Sequence, residues 1–132
     1  MRPARDDDGF CFVCGPDNHA GLRLTFRRED GKTKTTFTPQ KIHQGYKGIT
    51  HGGIIASVLD EAIIHAALAD GMTPVTAELT IRFRAPLMVG EETIVEAETT
   101  KRRARIVEAV SRLIRRSDGC LIAEARAKLI LH

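Results

Sequence analysis

His51-Gly52-Gly53 stands at the head of an apolar run, and Asp60 follows nine residues after the histidine. Two glycines there leave the first backbone N–H groups of a helix open to approach, and those groups carry the positive end of the helix dipole. Such donors can polarise a carbonyl oxygen and hold the charge that develops on it. The same pair would equally let the chain turn tightly into a helix. Asp60 has the chemistry of a general base or a nucleophile. Eight residues of helix separate it from Gly52 by roughly 12 Å of rise, too far for one carbonyl to touch both. Two copies of the helix, antiparallel across a two-fold axis, would set Gly52 of one opposite Asp60 of the other. The spacing therefore predicts a homodimer with two shared sites. In a lone chain, Asp60 is simply a carboxylate on the polar face of a helix.

Other reactive side chains compete for attention. Glu61 adjoins Asp60 but sits about 100° round the helix, nearer the apolar face, so Asp60 ranks above it. His65 lies within the apolar stripe and reads as a packed or pocket-lining histidine. Cys11-x-x-Cys14 with His19 offers three metal ligands close in sequence. Structural zinc takes four, so the preferred reading is small buried residues at the start of the sheet. No metal or other cofactor is assigned. The third cysteine, Cys120, makes the count odd, which with no secretory signal argues against a disulfide framework.

The elements that must position these groups follow from period and punctuation. Leu22, Leu24 and Phe26 alternate with Arg23, Thr25 and Arg27, which predicts a half-buried strand from Gly21. Asp30-Gly31 supplies a hairpin turn to a second strand over 32–38, and Pro39 ends it. Residues 54–69 read as one helix that buries Ile54, Ile55, Val58, Leu59, Ala62, Ile63 and Ala66 on a broad face, stopped by Asp70-Gly71. Val75, Ala77, Leu79, Ile81 and Phe83 then alternate with Thr76, Glu78, Thr80, Arg82 and Arg84, a long strand with one wet face. Segments 92–100, 105–116 and 120–131 continue as an antiparallel meander. One helix for so much sheet is α+β, and a curved antiparallel sheet wrapped around one long central helix is the economical way to bury that face.

Composition bounds the rest. A chain of 132 residues with 42% hydrophobic and 28% charged residues fits one globular domain, read as 10–132 behind a flexible tail at 1–9. The net charge of +3 and pI near 9.0 are too mild to require nucleic acid. The basic excess gathers at Lys101-Arg102-Arg103-Ala104-Arg105 and at Arg112, Arg115 and Arg116, either a local anion site or a guarded strand edge. With no continuous apolar run of membrane length and no apolar leader, neither a membrane partner nor export is expected, and the location is read as cytoplasmic.

Residues 44–69, QGYKGITHGGIIASVLDEAIIHAALA, with TAELTIRFRAPLMVGE at 76–91 and the opening CFVCGPDNHAGLRLTF, resemble the PaaI-like branch of the hotdog-fold thioesterases. The resemblance covers nearly all of 10–131 and is most specific in the joint pattern of HGG and an acid nine positions after the His. It implies a hotdog fold and hydrolysis of an acyl- or aryl-CoA thioester, in a homodimer or a dimer of dimers. By matching position it implies that the Gly52 N–H polarises the carbonyl, that Asp60 is base or nucleophile, that His51 orients the loop, and that Thr76 positions water against the carboxylate. Some relatives carry Asn or Gln at the register of Gly45, where this chain has Gln44 beside it. Gly53 and Gln44 are thus candidate substrate contacts, and Arg82, Arg84 and Arg103 are candidate partners for coenzyme A phosphates on grounds of charge. A non-catalytic acyl-ligand-binding module on the same fold is the alternative.

Overall fold

The computed structural model describes residues 7–132. Most of the tail expected at 1–9 lies outside them, but Gly9 is held, its carbonyl accepting from Asp17 N at 3.0 Å. The chain runs β1 (Arg27–Glu29), β2 (Lys32–Phe37), a short 3-10 turn (Lys41–His43), α1 (Gly52–Ala69), β3 (Pro74–Phe83), β4 (Thr93–Arg103), β5 (Ile106–Arg115) and β6 (Leu121–Leu131). All six strands form one sheet in the order β1-β2-β4-β5-β6-β3, every neighbouring pair antiparallel. Asp30 and Gly31 turn the first hairpin with φ of 53° and 76°, the left-handed pair that matches the twist of the flanking strands.

The sheet wraps α1, which packs on β2 to β6. Ile55, Val58, Leu59, Ala62, Ile63, Ala66 and Ala67 meet Val95, Ala97, Val107, Ala109, Leu113, Ile122, Ala125 and Leu129 in one core. This is the hotdog architecture. The alanines on both sides let the helix lie close to the sheet, and removal of these side chains from water stabilises the fold by about 25 cal/mol per Å². By length and hydropathy α1 would also suit a bilayer, but its apolar side faces the sheet. Ser111 on β5, fully buried, donates to the Leu59 carbonyl at 3.0 Å, fastening the helix one residue before Asp60.

Two strand expectations need correction. The strand read from Gly21 is laddered only at Arg27–Glu29. Leu22, Leu24 and Phe26 are half-buried as the alternation requires, but Leu22 N and Leu24 N donate to the carbonyls of Phe12 and Val13, and Arg23 has φ of 51°. An irregular loop, not the sheet, produces that alternation. On β3 the register against β6 slips between Thr76 and Glu78. The bulge reverses the phase of alternation, because an extra residue moves everything before it to the other face. Val75 is thereby 43% exposed, and Thr76, expected on the wet face, turns inward.

Candidate active site

The inward turn of Thr76 brings its hydroxyl to Asp60, where it donates to Oδ1 at 2.8 Å. Burial raises the Asp60 carboxyl above its ordinary value, the Thr76 hydrogen bond opposes that rise, and the neighbouring Glu61 charge adds to it. The result is a carboxylate with one oxygen held and greater basicity than an exposed aspartate, the condition a general base needs.

At the other end of the site, His51 is the N-cap of α1, and its Nδ1 accepts from Gly53 N at 2.8 Å. Ile54 N and Ile55 N both donate to the His51 carbonyl. The Gly53 donor proposed from sequence is therefore occupied within the chain, and the Gly52 N–H alone among the first four helical amides has no partner among the described residues. No acidic side chain lies in the first turn to neutralise the helix terminus. Because Nδ1 is an acceptor, neutral His51 carries its proton on Nε2, a further outward donor. Gly45 leaves room for that ring, since a Cβ there would lie 3.3 Å from His51 Cδ2.

A concavity of about 420 Å³ opens at this helix end, lined by Gly45, Tyr46, Ile49, Thr50, His51 and Gly52. The Phe83 ring lies over Gly52, 3.5 Å from where a Cβ would sit. Tyr46 and Phe83, 86% and 56% exposed, give the opening apolar walls. Thr50 is buried in it, its hydroxyl without a hydrogen-bond partner among the described residues. Sequence reading passed over Tyr46, Thr50 and Phe83. The only available signal was their closeness to the two glycines in chain or sheet. Gln44, by contrast, is engaged locally: its Oε1 accepts from Gly48 N at 3.1 Å, so it shapes the loop.

The basic candidates lie elsewhere. Arg82 and Arg84 alternate with Phe83 and so point to the other face of the sheet, where Arg84 is paired with Glu124 at 2.6 Å. Arg103 stands at the β4–β5 turn, at the end of the sheet where Ile106 opposes Ile130 and Ile130 opposes Val75. That is the Thr76–Asp60 end, not the Gly52 end of the same chain.

Glu61 points away from Asp60 towards the N-terminal loop. Burial would raise its carboxyl, but hydrogen bonds from His65 and Cys14 hold it below its ordinary value. Burial and then the Glu61 carboxylate push the Cys14 thiol far up, so it is not an activated nucleophile. His65 stacks on Phe26 with centroids 4.3 Å apart, and His19 lies away from the thiols, 3.3 Å from Arg23.

Comparison with known proteins agrees with this fold. A frog protein, Xenopus laevis acyl-coenzyme A thioesterase THEM4, is 27% identical over 107 residues, which is 81% of this chain and 48% of that protein. The chain spans about half to two thirds of the curated relatives it matches. A crystallised thioesterase superfamily protein superposes with a TM-score of 0.85 at 22% identity, over 98% of this chain and 73% of that one. A Streptococcus mutans protein crystallised with acetyl CoA superposes with a TM-score of 0.76 at 15% identity, over 83% and 88% of the two chains. Residues 47–122, more than half of the chain, match the model of the thioesterase superfamily, and the chain belongs to that superfamily.

Proposed function

We propose that the protein hydrolyses the thioester of an acyl- or aryl-CoA to the free acid and CoA, at two sites shared across a homodimer. The observation that carries this is the pairing of Asp60 with Thr76 at 2.8 Å, far along the helix from an open Gly52 N–H. The carbonyl oxygen takes the Gly52 N–H. Thr76 holds Asp60 Oδ1, leaving Oδ2 of the partner chain's carboxylate to accept a proton from water as that water attacks the carbonyl carbon. Collapse of the tetrahedral oxyanion breaks the C–S bond, and Asp60 returns the proton to the departing thiolate. Direct attack by Asp60 would instead pass through an anhydride, and hydrolysis of that anhydride at the aspartyl carbon would leave labelled water oxygen in the aspartate after a single turnover.

The dimer reading has support in the sheet edges. β1 is three exposed residues, Arg-Arg-Glu, a short charged edge of the kind that resists pairing. β3 is ten residues with Val75 and Phe83 exposed, an edge open to addition of a strand. Thr76 marks the level of Asp60 and Phe83 the level of Gly52. A two-fold axis between Leu79 and Thr80 would pair β3 with its copy so that each Thr76 faces the partner's Phe83. Each Asp60 then faces the partner's Gly52. The same register moves the Arg103 turn towards the partner's site, where it would meet CoA phosphates; Arg82 and Arg84, on the outer face, are the other basic groups within reach of the edge. The CoA-bound structural neighbour is consistent with this ligand class.

Thiol release from a panel of short, medium, long and aromatic acyl-CoAs, with Asp60→Asn in parallel, tests the reading. Hydrolysis by the wild type that is lost in the variant is expected. Tight CoA-ester binding without turnover across the panel would instead identify an acyl-CoA-binding module.

A further inference from the structure

The N-terminal loop meets α1 on the side away from Asp60, and the contact is made by metal-ligating groups. Cys14 Sγ lies 2.9 Å and Cys11 Sγ 3.5 Å from Glu61 Oε2, and His65 Nε2 lies 3.2 Å from the same oxygen. One ligand atom each from Cys11, Cys14 and Glu61 falls within 4.8 Å of the others. We propose that Cys11, Cys14 and Glu61 form a divalent-metal site suited to zinc, with His65 hydrogen-bonded to Glu61 beside it, which fastens the N-terminal loop to the central helix.

The distances fit that assignment. Zinc ligated tetrahedrally at its usual bond lengths separates a thiolate from a carboxylate oxygen by about 3.6 Å. The Cys11–Glu61 separation already sits near that value, and Cys14 must draw back from 2.9 Å. Two thiolates and a carboxylate supply three ligands, with spacing C-x-x-C on the loop, and a solvent water would complete the tetrahedron; His65, at i+4 on the same helix face, holds the Glu61 carboxylate.

The loop is shaped for the task. Cys14 N approaches Cys11 Sγ at 3.5 Å, and Gly15 N donates to the Cys11 carbonyl at 2.8 Å. A Cβ on Gly15 would collide with the backbone of Cys11 and Gly9, so the Cys-x-x-Cys-Gly turn requires that glycine. Stacking on Phe26 fixes the His65 ring with its Nε2 towards Glu61. None of these residues takes part in the proposed hydrolysis, and the assignment stands whether or not that reading does.

The test is metal content and cobalt spectroscopy on the full chain, purified reduced and without metal-affinity resin. One zinc per chain is expected. Exchange with Co²⁺ should give the visible bands of a tetrahedral site and near-ultraviolet sulfur-to-cobalt charge transfer. In Cys14→Ser that charge transfer should fall to about half, because one of two thiolates is gone. Should that variant fold poorly, Glu61→Gln keeps both thiolates and should retain charge transfer while altering the visible bands. Zinc should raise the melting temperature of metal-free protein, since it binds only the folded site. Absence of zinc together with a featureless Co²⁺ titration would overturn the proposal. So would a mass deficit of two hydrogens from a Cys11–Cys14 disulfide that forms in place of metal binding.

Discussion

Gly52 and Gly53 separate a structural from a functional need for glycine, and substitution of each by alanine tells the two apart. An added Cβ at Gly52 would stand 3.5 Å from two atoms of the Phe83 ring, an ordinary contact, and the residue needs no left-handed backbone. Alanine there gains helix propensity without a clash, worth about 0.5 kcal/mol at a first helical position, or roughly 2 °C in Tm for a domain of this size. A Cβ at Gly53 would stand 3.0 Å from His51 Nδ1 and 3.2 Å from Cε1. The ring must yield, and the 2.8 Å cap bond from Gly53 N lengthens. Loss of a cap costs about 1 kcal/mol, more than the propensity gained, so Gly53→Ala should lower Tm by a degree or two. Activity should rank the other way. The Gly52→Ala methyl stands beside the amide that a substrate carbonyl must reach, so kcat/KM should fall about 100-fold, the scale of losing one oxyanion donor. Gly53→Ala leaves that amide open and should lose less than about tenfold. Thermal melts and thiol-release kinetics on both variants decide. Unchanged kcat/KM in Gly52→Ala would refute the oxyanion role, and a loss of more than about 1 kcal/mol in its stability would show that the glycine serves the turn.

Asp60→Asn should abolish turnover without loss of stability at neutral pH. Burial raises the Asp60 carboxyl in the folded state, so the native protein binds this proton more tightly than the unfolded chain. Its contribution to stability is therefore greatest at low pH and is lost as pH rises through the folded pKa. Denaturant melts should show Asp60→Asn as stable as wild type or more so at neutral pH, with the difference closing in acid; a less stable variant at neutral pH contradicts the burial argument. Thr76→Val removes a hydrogen bond that favours the Asp60 carboxylate. The acid limb of its kcat/KM profile should move to higher pH, and an unmoved limb would detach Thr76 from the base. Sedimentation should give a dimer or a dimer of dimers, with β3 amides that point away from β6 protected from hydrogen exchange. Fast exchange along that whole edge would reject β3 pairing.

What the sequence showed about this site, and what it hid, divide along the range of the interactions involved. The helix over 54–69 was legible because burial of Ile55, Val58, Leu59, Ala62 and Ile63 imposes its period directly on the chain, and the structure extends it only by the two glycines. The β-meander was legible for the same reason, with strand ends within a few residues of those expected. Thr76 shows where this stops. Alternation through Val75 to Phe83 runs unbroken in the sequence, yet a bulge between Thr76 and Glu78 reverses the first residues of the strand. Nothing local demands that bulge. What accompanies it is a contact across to Asp60, sixteen residues earlier, and the exposure of Val75 on the open edge of the sheet. Glu61 and His65 show the same limit on the helix's other side, since their i, i+4 spacing is visible but the Cys11–Cys14 loop that meets them is fifty residues away. Within one chain, a carboxylate has been turned towards a threonine, a helix amide left open, and a ten-residue edge left unpaired. Each is unfavourable or idle alone, and a second copy across β3 gives all three a purpose at once, which is why the dimer is the hypothesis on which the site depends.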